Sequence, residues 1–211
     1  MALNTDKLLS ISSEGICESK PQIDELSKDI LGTLNDEFYN FLSIKNGFYA
    51  FESALHVFPA TNDSIPNLTL WNSHDLWRNE YSSSIKDYLF FAEDTFGVQF
   101  CVFKNKIYGF DPETEEIEKI ATSFDEWAKC IVEEYNYWTG FDLAHQWQLE
   151  NGAIPVGKRL LPKIPFILGG EFAIDNLYLL DSVKGMRFRG ALAQQIDNSP
   201  DGTKIKLKLI D

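Results

Sequence analysis

Histidine and cysteine are scarce in this chain, three of each in 211 residues, and basic residues are outnumbered, 19 against 32 acidic ones. His56, His74 and His145 lie far apart, with no HExxH pair and none three or four residues from a cysteine, so metal-ligand spacing is missing. Cys17, Cys101 and Cys130 are odd in number and also lack such spacing, which fits a reducing compartment where thiols act as small hydrophobes. No G-x-S-x-G nucleophile elbow occurs. Apolar runs such as Leu89 to Ala92 and Ile164 to Leu168 fall far short of the ~20 residues that span a bilayer. The N-terminal residues lack the basic start and apolar stretch of a secretory signal, so the expected location is the cytosol. Without clustered Lys and Arg to neutralise phosphates, nucleic acid is excluded as a partner.

What remains is a chain with 44% hydrophobic and 14% aromatic residues, enough for a substantial core. Its charge of −13 is uneven: residues 1–150 hold 26 acids and 10 bases, residues 151–211 hold 6 and 9. An acidic field over the larger part has two readings: it merely keeps the protein soluble, or it steers encounter with a basic protein.

Periodicity organises the chain. The first 20 residues are polar and read as a flexible N-terminal arm. Ile23, Leu26 and Ile30 recur at helical spacing up to Gly32, and Leu34, Phe38, Phe41 and Leu42 repeat it up to Gly47, with Asn35 as a cap. Residues 48–59 read as extended, and Trp71 to Tyr81 as a short helix. Alternation over 98–103 and 107–110 around a turn at Asn105-Lys106 predicts a hairpin, and Asp111-Pro112-Glu113 a further turn before a strand at 117–120. Ser123-x-x-Glu126 is a capping box that opens a helix with Phe124, Trp127, Ala128, Ile131, Tyr135 and Trp138 on its apolar face; another is expected over 142–149. Residues 151–211 form a C-terminal extension packed on the same domain: a Pro- and Gly-rich connector, a helix from Asp181 or Ser182 interrupted by glycines, and an edge strand over 205–209 guarded by lysines.

Chemistry is sparse. Gly152 to Lys158 has phosphate-loop spacing, but Arg159 stands where the magnesium-binding hydroxyl belongs and Pro155 removes a backbone donor, which sets nucleotide binding aside. Two acidic groups stand out, Glu93-Asp94 and the run Asp111, Glu113, Glu115, Glu116, Glu118. Acids on turns and edges are mostly solvated, and the function that suits them best is contact with a basic protein. Trp71 and Trp77, beside Asp75, are candidate interface anchors, with core packing as the competing role. No catalytic, cofactor-binding or metal-binding residue is assigned. An enzyme would need a cleft joining His56 or His145 to a desolvated carboxylate or cysteine.

The order of motifs resembles the SUKH superfamily, the cell-wall-assembly-regulator-like domain used as immunity proteins in bacterial polymorphic toxin systems. Phe38-Tyr39-x-Phe41-Leu42 with Asn46-Gly47, Leu89 to Asp94 with Phe96-Gly97, Ile107-Tyr108-x-Phe110-Asp111-Pro112-x-Thr114, and Ser123-Phe124-x-x-Trp127 carry it. Residues 165–171 and 175–178 look like the extension of longer members. The resemblance implies a single α+β domain over 21–150, with a twisted, mainly antiparallel sheet packed by helices and no catalytic residues. It implies an immunity protein that neutralises a cognate toxin domain, delivered by type VI or contact-dependent secretion, without cofactor or membrane; a basic nuclease would suit the acidic field. A regulatory scaffold for host proteins is the alternative.

Overall fold

Short turns between short apolar runs favour pairing of each strand with the next, and the chain does this from residue 48 to residue 121, interrupted by one long excursion over residues 58–88. The computed structural model describes residues 3–63, 66–82 and 85–200. Strands β1 (Phe48–Ala50), β2 (Leu55–Val57), β3 (Leu89–Asp94), β4 (Gln99–Phe103), β5 (Lys106–Phe110) and β6 (Ile117–Ala121) form a six-stranded antiparallel sheet in chain order. The β4–β5 turn sits at Lys104 and Asn105, both at positive φ, one residue earlier than the sequence indicated. The β1–β2 turn holds Phe51, Glu52 and Ser53 all at positive φ without a glycine.

A register shift between Phe90 and Ala92 makes Phe91 an extra residue in β3. Strand alternation turns Phe91 to the first face of the sheet and Phe90 to the second, and the bulge lets Ala92 share the first face with Phe91. On the first face lie α1 (Leu3–Ser10), α2 (Glu25–Leu31), α3 (Asn35–Ile44) and α5 (Phe124–Glu133), around Phe38, Phe91, Phe124 and Trp127. The second face is covered by the segment from α4 (Leu68–Trp71) through Tyr81 and by the C-terminal region. The latter comprises β7 (Lys158–Pro162) paired antiparallel with β8 (Leu177–Asp181), and α8 (Ser182–Asp197). Between the two sets run α6 (Tyr135–Thr139) and α7 (Phe141–Asn151). The molecule is a single α+β domain.

Several local expectations change. The N-terminal arm contains α1, which buries Leu8 and Leu9 and is held by Asp125, whose carboxylate accepts from the Asn4 backbone and side-chain amides at 2.8 Å. Its eight residues are too few for periodicity to register. Trp71 to Tyr81 is not one helix: α4 is capped by Asn67 and ends at Trp71, and a 3-10 turn follows at Arg78–Glu80. Asn35 lies within α3 and not at its cap. Ser123 caps α5 as expected, but Glu126 reaches back to the amide and hydroxyl of Thr122 instead of to Ser123. The connector hides β7. The helix α8 starts at its Asp181 cap and runs through Gly185 and Gly190, where close packing explains the glycines: a Cβ at 190 would lie 2.8 Å from the Glu80 Cβ. The strand expected over 205–209 lies outside the described residues.

A buried charge row and a candidate docking face

Antiparallel register sets Tyr49 opposite His56, His56 opposite Glu93, and Glu93 opposite Gln99. Four adjacent strands thus carry one polar row across the second face. His56 Nδ1 is 3.1 Å from Glu93 Oε1, Gln99 donates to Glu93 Oε2 at 3.4 Å, and Trp71 Nε1 donates to Gln99 Oε1 at 2.8 Å. The row is closed from outside by Arg159 of β7, whose Nη2 lies 3.0 Å from Glu93 Oε1 while its guanidinium sits 5.7 Å from the Tyr49 ring centre. Glu93 and Arg159 are each 1% exposed, so this pair is isolated from water.

Burial alone would raise the Glu93 carboxyl; the Arg159 charge and the His56 hydrogen bond outweigh it and hold the group below its ordinary range. Burial pushes His56 down, so its ring is neutral, and because a carboxylate only accepts, Nδ1 carries the proton. The neighbouring Asp94 is pushed up to about 7 by burial, against the amides of Phe96 and Val98 that donate to it at 2.9 and 2.8 Å. Arg189 of α8 is buried beside it and donates to the Phe96 carbonyl.

The acids of the β5–β6 turn are divided between inside and outside. Asp111 shapes the turn, accepting from the Glu113 amide at 2.7 Å. Glu113 points inward, 5% exposed, and accepts from the Ile167 amide at 3.0 Å; burial raises its carboxyl. Glu115, at φ 59°, accepts from the Gln194 side chain at 2.6 Å and the Ser82 amide at 3.1 Å. Glu116 and Glu118 are exposed.

Of the sequence candidates for partner contact, Trp71, Trp77, Glu93, Asp94 and Glu113 are therefore interior. Trp71 and Trp77 belong to an aromatic cluster with Phe58, Phe90 and Tyr81, with Trp71 and Phe58 stacked at 4.7 Å. Their proposed role as surface anchors gives way to core packing. Asp75, Glu116 and Glu118 stay at the surface, with Asp111 and Glu115 half-buried. The Asp75 carbonyl accepts from Arg187 of α8.

Among the described residues, neither His56 nor Glu93 lines any of the main surface clefts. A 620 Å³ cleft lies between α2, α4 and the Arg78–Tyr81 turn, but Arg78, a half-buried cation, already donates to the carbonyls of Asn72 and Ile85. His145 bonds Glu52 at 2.8 Å in a shallow surface depression, with neither group desolvated. Among the described residues no group of His, Cys, Asp or Glu is placed to hold a metal ion, and no helix is long and apolar enough to cross a membrane. The three cysteines are free.

The loop between β7 and β8 gathers several exposed apolar side chains. Phe172 and Ile164 are 66% and 53% exposed, Ile167 and Leu168 also face water, and Tyr137 of α6 stands across a small cleft from Phe172.

The SMI1/KNR4 family (SUKH-1) matches over residues 18–130, a segment that takes in α2, α3, all six strands of the main sheet and most of α5. The chain belongs to this family. The crystal structure of an Agrobacterium tumefaciens protein is similar at 12% identity and a TM-score of 0.61, covering 90% of this chain and 89% of its own. That likeness concerns the fold, and it reaches beyond the family segment into the C-terminal region. No curated protein is significantly similar.

Sequence reasoning missed Arg159, Arg189, Tyr137 and Phe172. One usable signal was present: Arg159 directly precedes Leu160 and Leu161, a base within an apolar strand, which points to a buried counter-ion. It was read only as a departure from the phosphate-loop pattern.

Proposed function

We propose that this SUKH-1 protein is an immunity protein that binds and neutralises a cognate secreted toxin domain of a polymorphic toxin system, by protein–protein contact without catalysis. Family membership over residues 18–130 is the observation that carries this reading. Two features support it. The family consists generally of non-catalytic binding domains, and here the desolvated His56–Glu93 pair is engaged by Arg159 and lines none of the clefts described above. The excess of acids in residues 1–150 suits a basic partner such as a nuclease, delivered by type VI or contact-dependent secretion.

Co-expression with the product of the adjoining open reading frame tests the reading. Rescue of growth together with a stable complex of the purified proteins is the expected result. Absence of both, with partners found among host proteins, would replace immunity by a regulatory scaffold role.

A further inference from the structure

We propose that the β7–β8 loop, with Tyr137 beside it, is the anchor of the partner interface, and that its occupant is a basic protein surface presenting an apolar group. The inference rests on the partner-binding reading above and locates it.

The loop is built to hold its shape. The Ile164 amide donates to Asn176 Oδ1 at 2.9 Å, and Asn176 Nδ2 donates to the carbonyls of Ile164 and Glu171, both at 3.0 Å. Glu113 fixes the Ile167 amide from below. Gly170 passes so close to the Ile164 carbonyl that a Cβ there would overlap it, so the tight return excludes any side chain. Phe172 lies flat on Phe166, 3.9 Å between ring centres and 7° between planes, and Phe166 in turn meets the buried Phe96 edge-on. A loop pinned this firmly yet turning Phe172, Ile164, Ile167 and Leu168 outward presents a preformed apolar ridge. Such surfaces mark interaction sites, and rigid aromatics lose little entropy when covered.

Charge identifies the occupant. On one flank of the ridge a 210 Å³ cleft joins Phe172 and Tyr137 to Asp142. On the other, a 340 Å³ cleft joins Ile167 to the exposed Glu116 and Asp197 and the half-buried Glu115. Glu171 and Asp175 are exposed on the loop itself, while its Lys163 donates to the Asp175 carbonyl. An apolar centre between acidic flanks has the anatomy of an interface core and rim, complementary to a basic partner. A second copy of this chain would set acidic rim against acidic rim.

The test is titration of the purified full chain into the purified product of the adjoining open reading frame, at two salt concentrations. Phe172→Asp and Ile167→Asp should each weaken binding by about 30-fold or more, as expected for hot-spot residues. Asp142→Lys with Glu116→Lys should slow association about tenfold and flatten its salt dependence. Leu26→Asp, an exposed apolar position on α2, is the control and should leave affinity unchanged. Thermal melts confirm that the variants fold, and Phe172→Ala provides a milder version of the same loss. Tight binding by the wild type that survives both Asp substitutions would overturn the proposal and leave the immunity reading standing. No binding by the wild type would overturn both. Self-association of the chain abolished by Phe172→Asp would assign the ridge to a second copy and overturn the basic partner, as would binding indifferent to salt.

Discussion

The two faces of the main sheet are both buried, but by different means. The first is covered by helices whose buried contacts with the sheet are mainly aliphatic and aromatic, with Phe38, Phe91, Phe124 and Trp127 interlocked. The second meets the C-terminal region through an aromatic cluster and a row of ionised and polar groups that ends in the Glu93–Arg159 pair. Apolar burial is non-directional and tolerates rearrangement of shape. A buried ion pair tolerates neither loss of a partner nor a shift in register, since desolvating an unpaired charge costs several kcal/mol. The difference shows how one sheet can be stabilised broadly on one side and registered sharply on the other.

The largest effect should separate the faces directly. Glu93→Ala or Arg159→Ala leaves a buried charge without its partner and should each cost about 3–5 kcal/mol in urea unfolding. Glu93→Gln combined with Arg159→Met should recover most of that loss. On the apolar face, Trp127→Ala should cost a similar ~3–5 kcal/mol, with no compensating partner. If the Glu93 and Arg159 losses simply add in the double variant, the contrast between the faces collapses.

A smaller effect probes how closely α8 packs. Gly190→Ala would gain about 1 kcal/mol of helix propensity in a free helix. Here the added methyl meets the Glu80 Cβ at 2.8 Å and the Tyr81 ring at 2.9 Å. Net destabilisation of about 1–3 kcal/mol is expected; a raised melting temperature would mean that the second face yields as readily as a fluid one.

A change of another kind, visible as a slope against pH, concerns Asp94. Its folded pKa of about 7 lies above the unfolded value near ~3.9. The folded state therefore holds the proton more tightly, and stability from this group is fully present at acid pH and declines as pH rises from about 4 to 7. Asp94→Asn keeps an oxygen to accept from the Phe96 and Val98 amides and should flatten that decline, read as melting temperature against pH. Glu93 works in the opposite sense: its lowered pKa contributes stability above the unfolded range that is lost as pH falls.

Much of the fold was legible because local signals agreed with tertiary structure. The strands around Asn105, the helix opened by Ser123 and the start of α8 each combine a turn or cap with the right period. Where the chain relies on distant partners, the sequence is silent. The α1 helix is held by Asp125, and β7 exists because β8 pairs with it beyond a Gly-rich loop. Glu93 and Asp94 read as surface acids because they precede a glycine turn; only the return of Arg159 and Arg189 makes them interior. The acidic turn reads as solvated and open to a partner, whereas Glu113 and Glu115 fasten the C-terminal region. Among the surface candidates, Asp75 and the outer acids Glu116 and Glu118 were legible, and the apolar ridge was not, since exposure of Phe172 depends on how its loop is pinned.

The strict chain order of the six strands has a consequence for synthesis. Each strand can pair with its predecessor as it emerges from the ribosome, so the meander and its first face can assemble while residues beyond α5 are still untranslated. The carboxylate of Glu93 then waits in water, on an unfinished side of a sheet, until Arg159 arrives. A nascent chain stalled before β7 should accordingly be half-built in a specific way: one wall complete, the other covered by the segment from α4 to Tyr81 but still open at Glu93.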